Sequence, residues 1–242
     1  MVSELFDFEN KNYLITGSSR GIGEAVVRQL IDLGANVFGI SRKKSNFEHP
    51  RFQQFPVDIT NKAQLKEILV GLPPMDGVFL NAGASGTIKP FQLVSEEDAV
   101  GLFDLNFFAP YFLLQEMYKN KKLPTGTSVV VNTAHGAFYQ AAASSIYCAT
   151  KSALTSAFRS VALEFARRKI HINFVAFGYV DTELLRTNNV SEDSIKLVPL
   201  GCANPEQVSG SVLFLLSSAS RWVTGTTLLV DGGLSLKQVK TL

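Results

Sequence analysis

The sequence predicts a doubly wound parallel α/β sheet, because short apolar segments alternate with helical patterns along the whole chain. Near-continuous apolar strands that alternate with helices are typical of a sheet covered by helices on both faces. The 242 residues are enough for one such domain, and no repeat or long polar linker divides them. We therefore expect residues 1–242 to form a single three-layer α/β/α domain.

Seven segments have the apolar or β-branched composition of strands. In chain order they are residues 12–16, 36–40, 52–57, 77–80, 128–132, 171–176 and 226–230. Helical patterns are predicted between them, at residues 23–33, 61–70, 96–119, 146–168 and 205–218. This order is of the Rossmann type, in which ligands bind beyond the carboxyl ends of the strands, so functional residues are expected just after each strand.

Composition and charge argue against several function classes. The net charge is +2 with acids and bases interspersed, which gives no electrostatic reason to expect nucleic acid or a membrane surface as partner. The most apolar long window, residues 99–118, contains Asp104, Asn106, Pro110 and Glu116, all costly in lipid. Two unpatterned cysteines and an N-terminus unlike a signal peptide favour a cytoplasmic location, and three scattered histidines predict no metal site.

A glycine-rich turn follows the first strand and opens a helix; residues 16–23 read TGSSRGIG. Glycines permit a tight turn and the close approach of a pyrophosphate, while the helix N-terminus supplies amide donors and a positive dipole end. A glycine-rich turn without a ligand is the simpler alternative, but strand, turn and helix occur here in the required order. The turn residues expected to bind a dinucleotide are Gly17, Ser19, Arg20, Gly21, Ile22 and Gly23.

Six short motifs occur in the order found in the short-chain dehydrogenase/reductase family. They are TGSSRGIG at 16–23, VDIT at 57–60, NAGA at 81–84, Asn106 within a long helix, YCATK at 147–151, and TG at 224–225 followed by VDGG at 230–233. The chain resembles this family over nearly its whole length, and resembles its 3-oxoacyl-[acyl-carrier-protein] reductase-like members in particular. The resemblance implies cofactor contacts for Asp58, Ile59, Asn81, Ala82 and Gly83, and for Gly178, Val180 and Thr182. One departure is Phe177, which stands where the family usually has a proline that shapes the turn beside the nicotinamide.

Reduction of a carbonyl by a nicotinamide needs an acid within hydrogen-bond reach of the oxygen on which charge develops. Tyr147 is the candidate acid, and Lys151 lies four residues on, on the same helix face, where a cation favours the phenolate. An exposed helix pair is the ordinary alternative for such spacing. The resemblance implies that Lys151 also holds the nicotinamide ribose and that Asn106 helps to hold a proton-relay water.

His135 stands where the family has a serine that donates a hydrogen bond to the substrate oxygen. Three hypotheses follow from this departure. A neutral His135 donates an imidazole N–H to the carbonyl; or Thr133, Ser144 or Ser145 takes over while His135 lines the pocket; or the site is crippled and the protein only binds a cofactor. The retention of Tyr147, Lys151 and Asn106 favours an active site.

The end of the second strand indicates the cofactor. A free 2′-hydroxyl is usually met by an acid there, whereas a 2′-phosphate favours arginine. Ser41 occupies the acid's place, and Arg42 and Arg20 offer two guanidinium groups, so NADP(H) is predicted. A segment at about residues 183–198 is expected to form the substrate lid.

The predicted function is therefore NADPH-dependent reduction of a ketone or aldehyde to an alcohol, with Tyr147, Lys151, Asn106 and His135 as candidate catalytic residues. One alternative is a non-catalytic dinucleotide-binding regulator or scaffold; another is an alcohol dehydrogenase that works in the oxidative direction. By resemblance a homo-tetramer or homo-dimer is expected, with a small carbonyl compound as its substrate.

Overall fold

The computed structural model describes residues 2–86, 88–139, 141–188 and 190–238. Its centre is a parallel sheet of seven strands in the order β3-β2-β1-β4-β5-β6-β7. The strands are β1 (Asn12–Thr16), β2 (Asn36–Ser41), β3 (Phe52–Pro56), β4 (Gly77–Leu80), β5 (Ser128–Ala134), β6 (His171–Phe177) and β7 (Thr227–Val230). The doubly wound Rossmann-type sheet predicted from the sequence is thereby confirmed.

Helices connect the strands and cover both faces of the sheet. They are α1 (Val2–Leu5), α2 (Gly21–Asp32), α3 (Lys62–Gly71), α4 (Glu96–Phe103), α5 (Ala109–Lys119), α6 (Ser145–Ala166), α7 (Glu183–Thr187), α8 (Glu192–Lys196) and α9 (Pro205–Leu216). Short 3₁₀ segments occur at Phe91–Leu93, His135–Ala137, Ser218–Ser220 and Leu234–Gln238. The predicted lid segment thus contains two short helices, α7 and α8.

Two apolar cores form because the strands are buried on both faces. On one face, side chains of α3, α5 and α6, such as Leu65, Leu113 and Phe158, pack against the sheet. On the other, Val26 of α2 and Val212 of α9 pack against it. This two-sided burial explains why the strand sequences show almost no polar alternation, and it leaves the carboxyl edge of the sheet as the place where polar side chains meet.

The long helix predicted at 96–119 differs from the observed structure in one respect. It is continuous along the chain, but a π-helical turn at Asp104–Phe108 separates α4 from α5. A wider turn of this kind inserts one residue into the helical repeat and is frequent at functional sites. Asn106 is buried at the centre of this turn. Other predicted boundaries differ from the observed ones by two residues or fewer.

Within the described ranges, no helix has both the length and the apolar composition needed to cross a membrane. The same part of the chain contains no group of three or more histidine, cysteine, aspartate or glutamate side chains arranged to hold a metal ion.

Candidate active site

The site lies at the carboxyl edge of the sheet, where the ends of β1, β4 and β5 are neighbours. The parallel register pairs Ile15 of β1 with Phe79 of β4, and Leu80 of β4 with Val131 of β5. Segments that leave these strands therefore emerge side by side. This placement brings together the glycine-rich turn, the segment 81–86 and the residues that follow Asn132.

The glycine-rich turn is shaped by two residues that have no room for a side chain. Gly17 has a φ of +69°, and a Cβ there would lie 2.8 Å from Asn81 Nδ2. A Cβ at Gly23 would lie only 2.0 Å from the carbonyl oxygen of Gly17. The first turn of α2 therefore packs directly onto the backbone leaving β1, which presents its free amide groups at the edge of the sheet.

A chain of hydrogen bonds ties the three strand ends together. The Thr16 hydroxyl accepts from the backbone N–H groups of Asn81 (2.9 Å) and Ala82 (3.0 Å). The Asn81 side chain donates to the Thr16 carbonyl at 3.1 Å and accepts from Asn132 Nδ2 at 2.8 Å. These bonds fix the segment 81–84 relative to the glycine-rich turn.

Lys151 joins this network from α6. Its side chain is only 5% exposed, and its ammonium donates to the carbonyl of Asn132 at 3.0 Å. A Cβ at Gly83 would lie 3.4 Å from Nζ, so the ammonium lies directly beneath the segment 81–84. Burial lowers the pKa of Lys151 to about 8, because the charged form loses hydration.

Tyr147 stands one helical turn before Lys151 and forms part of a cavity wall. Burial raises the pKa of the Tyr147 phenol above its ordinary value, and Cys148 adds a smaller effect in the same direction. This differs from the shift toward the phenolate expected from the sequence, because loss of hydration disfavours the charged form of the phenol. At neutral pH the phenol therefore carries its proton, as an acid in a reduction must.

Asn106 is 1% exposed, and its amide group is fully used in binding the protein itself. Its Oδ1 accepts from the Ala84 N–H at 2.9 Å, while Nδ2 donates to the Ala84 carbonyl at 2.7 Å and to the Thr150 hydroxyl at 3.2 Å. The π-helical turn thus links segment 81–84 to α6. The side chain positions both the predicted cofactor loop and the helix that carries Tyr147.

His135 begins a 3₁₀ turn directly after β5, so the side-chain alternation of the strand ends before it. Its ring stacks on that of Tyr139, with centroids 4.6 Å apart. The imidazole Nε2 is buried without a hydrogen-bond partner and lies 3.7 Å from Asp231 Oδ2, beyond hydrogen-bond range. Burial lowers the pKa of His135, although Asp231 opposes the shift, so the ring is neutral at physiological pH.

Asp231 faces His135 from the carboxyl end of β7. Burial raises the pKa of this carboxyl group, but hydrogen bonds from Ser235 and Gly233, with a smaller electrostatic effect of His135, outweigh burial and leave the pKa below its ordinary value. The backbone N–H groups of Gly233 and Ser235 donate to it at 3.0 and 2.9 Å. His135 therefore faces a carboxylate whose oxygens are held by the backbone of Gly233 and Ser235.

Thr133 is directed away from the cavity. Its buried hydroxyl shares a 2.9 Å hydrogen bond with that of Thr155 and lies 3.5 Å from the Lys151 carbonyl. Ser144 is placed differently, because it precedes the first residue of α6 and its hydroxyl makes no capping bond. Among the described residues, its hydroxyl makes a single long contact of 3.5 Å, with the Ala142 carbonyl.

A cavity of about 250 Å³ opens beside Tyr147. Its wall combines hydroxyl groups, apolar side chains and a charged cluster; the lining residues are Ser85, Gly86, Ile88, Lys89, Val94, Glu97, Asp98, Gly101, Leu102 and 143–147. The Lys89 ammonium pairs with the Asp98 carboxylate at 2.7 Å, and that bond, with those from Ser95, lowers the Asp98 pKa to about 2. The cavity therefore has a hydroxyl-rich side near Tyr147 and an ion pair on its wall.

The loop that carries Ser144 is held in an unusual conformation. Ala143 has a φ of +61°, in the left-handed region that side chains rarely adopt. Its carbonyl accepts from the Lys89 N–H at 3.0 Å, which joins the two sides of the cavity. Such strain tends to occur at functional sites.

The residues predicted at the adenosine end surround the ends of β2 and β3. Ser41 donates its hydroxyl to the Lys43 carbonyl at 2.7 Å, and Arg42 is exposed beside it. Asp58 accepts from the N–H and hydroxyl of Thr60, and Ile59 is buried. Arg20 is also exposed, and its guanidinium is paired with the Glu183 carboxylate of α7.

The residues predicted at the nicotinamide end follow β6. A Cβ at Gly178 would lie 2.8 Å from Asp231 Cα, so β6 and β7 approach closely here. Val180 is buried, and Thr182 caps α7 by accepting from the Leu185 N–H at 3.4 Å. Thr182 also touches the glycine-rich turn, since a Cβ at Gly21 would lie 3.1 Å from its Cγ2.

Sequence reasoning did not identify Asn132, Ala143 or Ser85 as site residues. The Asn132 carbonyl accepts a hydrogen bond from Lys151, and its side-chain amide donates one to Asn81. Its polar side chain at the end of an otherwise apolar strand was the available signal. No sequence signal marks Ala143, because alanine is not typical of the left-handed conformation that it adopts.

The chain is similar to known proteins over most of its length. A family model described as Enoyl-(Acyl carrier protein) reductase matches residues 17–235. L-xylulose reductase of Mesocricetus auratus is 32% identical over 231 residues, covering 91% of this chain and 94% of the relative.

Two solved structures are similar over the same extent. A short chain dehydrogenase family protein from Francisella tularensis has 31% identity and a TM-score of 0.86, covering 94% of this chain and 99% of that one. The ElxO protein with NADP bound has 26% identity and a TM-score of 0.82 over the same shares. The chain therefore belongs to the short-chain dehydrogenase/reductase family of oxidoreductases.

Proposed function

We propose that the protein reduces a small ketone or aldehyde to an alcohol with NADPH. The observation that carries this proposal is the position of Tyr147 on the wall of a cavity, with Lys151 one helical turn behind it and fixed against segment 81–84. A protonated phenol beside a space for a substrate, next to a buried cation, is the arrangement that proton donation to a carbonyl oxygen requires.

The residues at the carboxyl edge fit a nicotinamide dinucleotide. The turn at Gly17 and Gly23 excludes side chains and leaves the first amide groups of α2 free for a pyrophosphate. Asp58, Ile59, Asn81, Ala82 and Gly83 would hold the adenosine and ribose parts, and Gly178, Val180 and Thr182 the nicotinamide amide. When bound, the cofactor supplies the hydride.

Tyr147 would donate its proton to the carbonyl oxygen as charge develops there. The Lys151 ammonium would stabilise the resulting phenolate and contact the nicotinamide ribose, while Asn106 positions both α6 and segment 81–84. Ser144 is the hydroxyl that we assign to the substrate oxygen, because it lies on the cavity wall without capping α6. His135 lines the back of the site against Asp231.

Preference for NADP(H) over NAD(H) is supported by two exposed arginines. Arg42 follows β2, whose end carries Ser41 in place of an acid, and Arg20 lies in the glycine-rich turn. Guanidinium groups bind phosphate with paired, charge-assisted hydrogen bonds. The structure of ElxO with NADP bound, a relative in the same family, is consistent with this choice.

The cavity favours a substrate of modest size with polar groups. About 250 Å³ is at the small end of the range of ligand sites, and hydroxyl and charged groups line part of its wall. The resemblance to L-xylulose reductase, whose name gives a small sugar ketone as substrate, supports such a compound. We also propose a homo-oligomer, a tetramer or a dimer, in the cytoplasm.

NADPH oxidation by the purified protein, measured against a panel of ketones, aldehydes and 3-oxoacyl thioesters, tests the proposal. We expect turnover of at least one small carbonyl compound, and its loss in Tyr147→Phe with NADPH affinity retained. Arg42→Ala should weaken NADPH binding and leave NADH binding unchanged. Equal affinity of the wild type for both cofactors would contradict the NADP(H) assignment.

The same experiment separates the two alternatives. A protein that binds NADPH but reduces nothing on the panel, and gains turnover only in His135→Ser, would be a cofactor-binding regulator. An alcohol dehydrogenase would oxidise the product alcohol with NADP+ through the same residues, so the direction in the cell depends on the cofactor ratio. Lys151 is buried and held by the Asn132 carbonyl, and Asn106 is buried and bonded to Thr150 of the same helix. These contacts favour catalysis, since binding alone needs no such arrangement around Tyr147.

A further inference from the structure

The short helix α7 is attached to the body of the protein at both ends. At its start, the carboxylate of Glu183 pairs with the guanidinium of Arg20 in the glycine-rich turn. Just beyond its end, Asn188 Oδ1 accepts a hydrogen bond of 2.8 Å from the Ser85 hydroxyl on the cavity wall. Thus α7 extends from the predicted phosphate site to the predicted substrate site.

The pairing at the first end is specific to Arg20. The neighbouring arginine of the lid, Arg186, is already bound by Asp181 through two hydrogen bonds of 2.9 and 3.0 Å. Arg20 is the residue that caps the N-terminus of α2, and its side chain makes no bond to the helix. Its guanidinium is therefore free to exchange one anionic partner for another.

A phosphate group and a carboxylate compete for the same guanidinium, because both accept its forked N–H groups in the same geometry. The side chains of Arg20 and Glu183 are 58% and 59% exposed, and ion pairs that are this exposed are weak. A dinucleotide on the glycine-rich turn would bring at least one phosphate near Arg20. That phosphate would take the place of the Glu183 carboxylate as the partner of the Arg20 guanidinium.

We propose that Glu183 determines cofactor affinity by occupying Arg20 in the free protein and yielding it to a phosphate group of the cofactor. This inference rests on the proposed function, because it requires a dinucleotide at the glycine-rich turn. Exchange of the ion pair frees one end of α7, while Ser85 and Asn188 keep the other end attached at the cavity.

Titration of NADPH and NADH, followed by cofactor fluorescence, tests this exchange in the wild type and in Glu183→Gln. We expect Glu183→Gln to tighten NADPH binding about two- to fivefold at low salt, the range that the loss of a weak exposed pair allows. The gain should shrink as salt screens the interaction. Glu192→Gln, the same change at the start of α8, is the matched control and should leave affinity unchanged.

A second background isolates the role of Arg20. In Arg20→Gln, the further change Glu183→Gln should have no effect on NADPH affinity, because no guanidinium remains to be released. A gain that persists there would mean simple charge repulsion and would overturn the exchange, as would unchanged or weaker binding in Glu183→Gln alone.

The two cofactors distinguish the possible phosphates. If Glu183→Gln tightens binding of NADPH alone, the exchange involves the 2′-phosphate. If it tightens binding of NADH equally, the exchange involves the pyrophosphate. A wild-type protein that binds neither cofactor would overturn the proposed function itself and this inference with it. Dinucleotide binding that does not respond to Glu183 would overturn the exchange alone and leave the proposed function standing.

Discussion

At the residue scale, the departure at position 135 bears on which group donates to the substrate oxygen in the proposed reaction. The imidazole stacks on Tyr139 and points its Nε2 toward Asp231, whereas Ser144 lies on the cavity wall three residues before Tyr147. The hydroxyl lost from the end of β5 thus has a counterpart at the start of α6. The strained backbone of Ala143 is what turns this segment toward the cavity.

We predict that Ser144→Ala lowers kcat/KM for carbonyl reduction about 100-fold, the usual cost of removing one donor to a developing oxyanion. Ser145→Ala, one residue further along the cavity wall, is the matched control and should change kcat/KM only a few-fold. His135→Ala should also remain within about tenfold of the wild type, since its ring bonds neither Tyr147 nor Lys151. If His135→Ala lowered kcat/KM as much as Ser144→Ala, the hydrogen bond to the substrate oxygen would come from the histidine instead.

The lowered pKa of Lys151 predicts a specific pH profile. Because the ammonium form stabilises the phenolate, kcat/KM for reduction should fall as pH rises through about 8, the pKa that burial gives this lysine. The arginine of Lys151→Arg stays charged throughout this pH range. The variant should therefore have a lower kcat/KM but show no fall in kcat/KM near pH 8. A profile that is identical in both proteins would show that another group controls the decline.

The same shift has a consequence for stability with the opposite sign. A lysine whose pKa falls from 10.5 when unfolded to about 8 when folded binds fewer protons in the folded state between these values. The free energy of unfolding contributed by this group therefore rises with pH across that window.

At the scale of elements, the π-helical turn between α4 and α5 connects segment 81–84 to α6. We predict that Asn106→Ala lowers the free energy of unfolding by about 1–3 kcal/mol, because the partly buried N–H and carbonyl of Ala84 and the buried Thr150 hydroxyl lose their partner. Urea unfolding measures this change. Gln115→Ala, on the exposed side of α5, should have little effect, and equal destabilisation by both changes would contradict the argument.

Most elements were predictable from the sequence because burial dictates their composition. The strands β1 and β4 and the two-sided cores follow from apolar runs separated by glycine and polar residues. The π-helical turn was not predictable, since the extra residue leaves the apolar pattern of 96–119 nearly unchanged. The orientation of His135 was left open by the sequence, because it depends on where β5 ends and the 3₁₀ turn begins.

The candidate site was predictable where it depends on spacing within one element, as with Tyr147 and Lys151 on α6. It was less predictable where the partner comes from a distant segment. The pairing of Arg20 with Glu183 joins residues 163 positions apart, and nothing in the local sequence of either one indicates it. The role expected for Arg20 toward a 2′-phosphate stays a prediction, with Glu183 as its competitor.

At the scale of the whole molecule, β7 is an edge strand surrounded by exposed apolar side chains. Trp222 is fully exposed, and Leu200, Leu229 and Leu236 are also accessible. Edge strands are usually covered or carry charged side chains, because an uncovered apolar edge tends to pack against another chain. In the proposed homo-oligomer, a second copy of the chain packs against this side of β7.

We predict that Trp222→Glu reduces the oligomer to a smaller species, since a buried unpaired charge would be costly in such an interface. Light scattering coupled to gel filtration measures the mass. Val70→Glu introduces the same charge at an exposed apolar position of α3 and should leave the mass unchanged. A wild-type protein that is already a monomer would exclude this interface.

The hydrogen-bond network at the strand ends also bears on how the chain acquires its native state. Asn132 binds Asn81 across 51 positions of sequence, and Asn81 binds Thr16 across 65. Closing such long loops is slow, so these bonds form late in folding, after the local helices. The glycine-rich turn lies near the N-terminus and is synthesised early, but it acquires its shape only when β4 and β5 have docked. Cofactor binding should therefore be the last event in refolding.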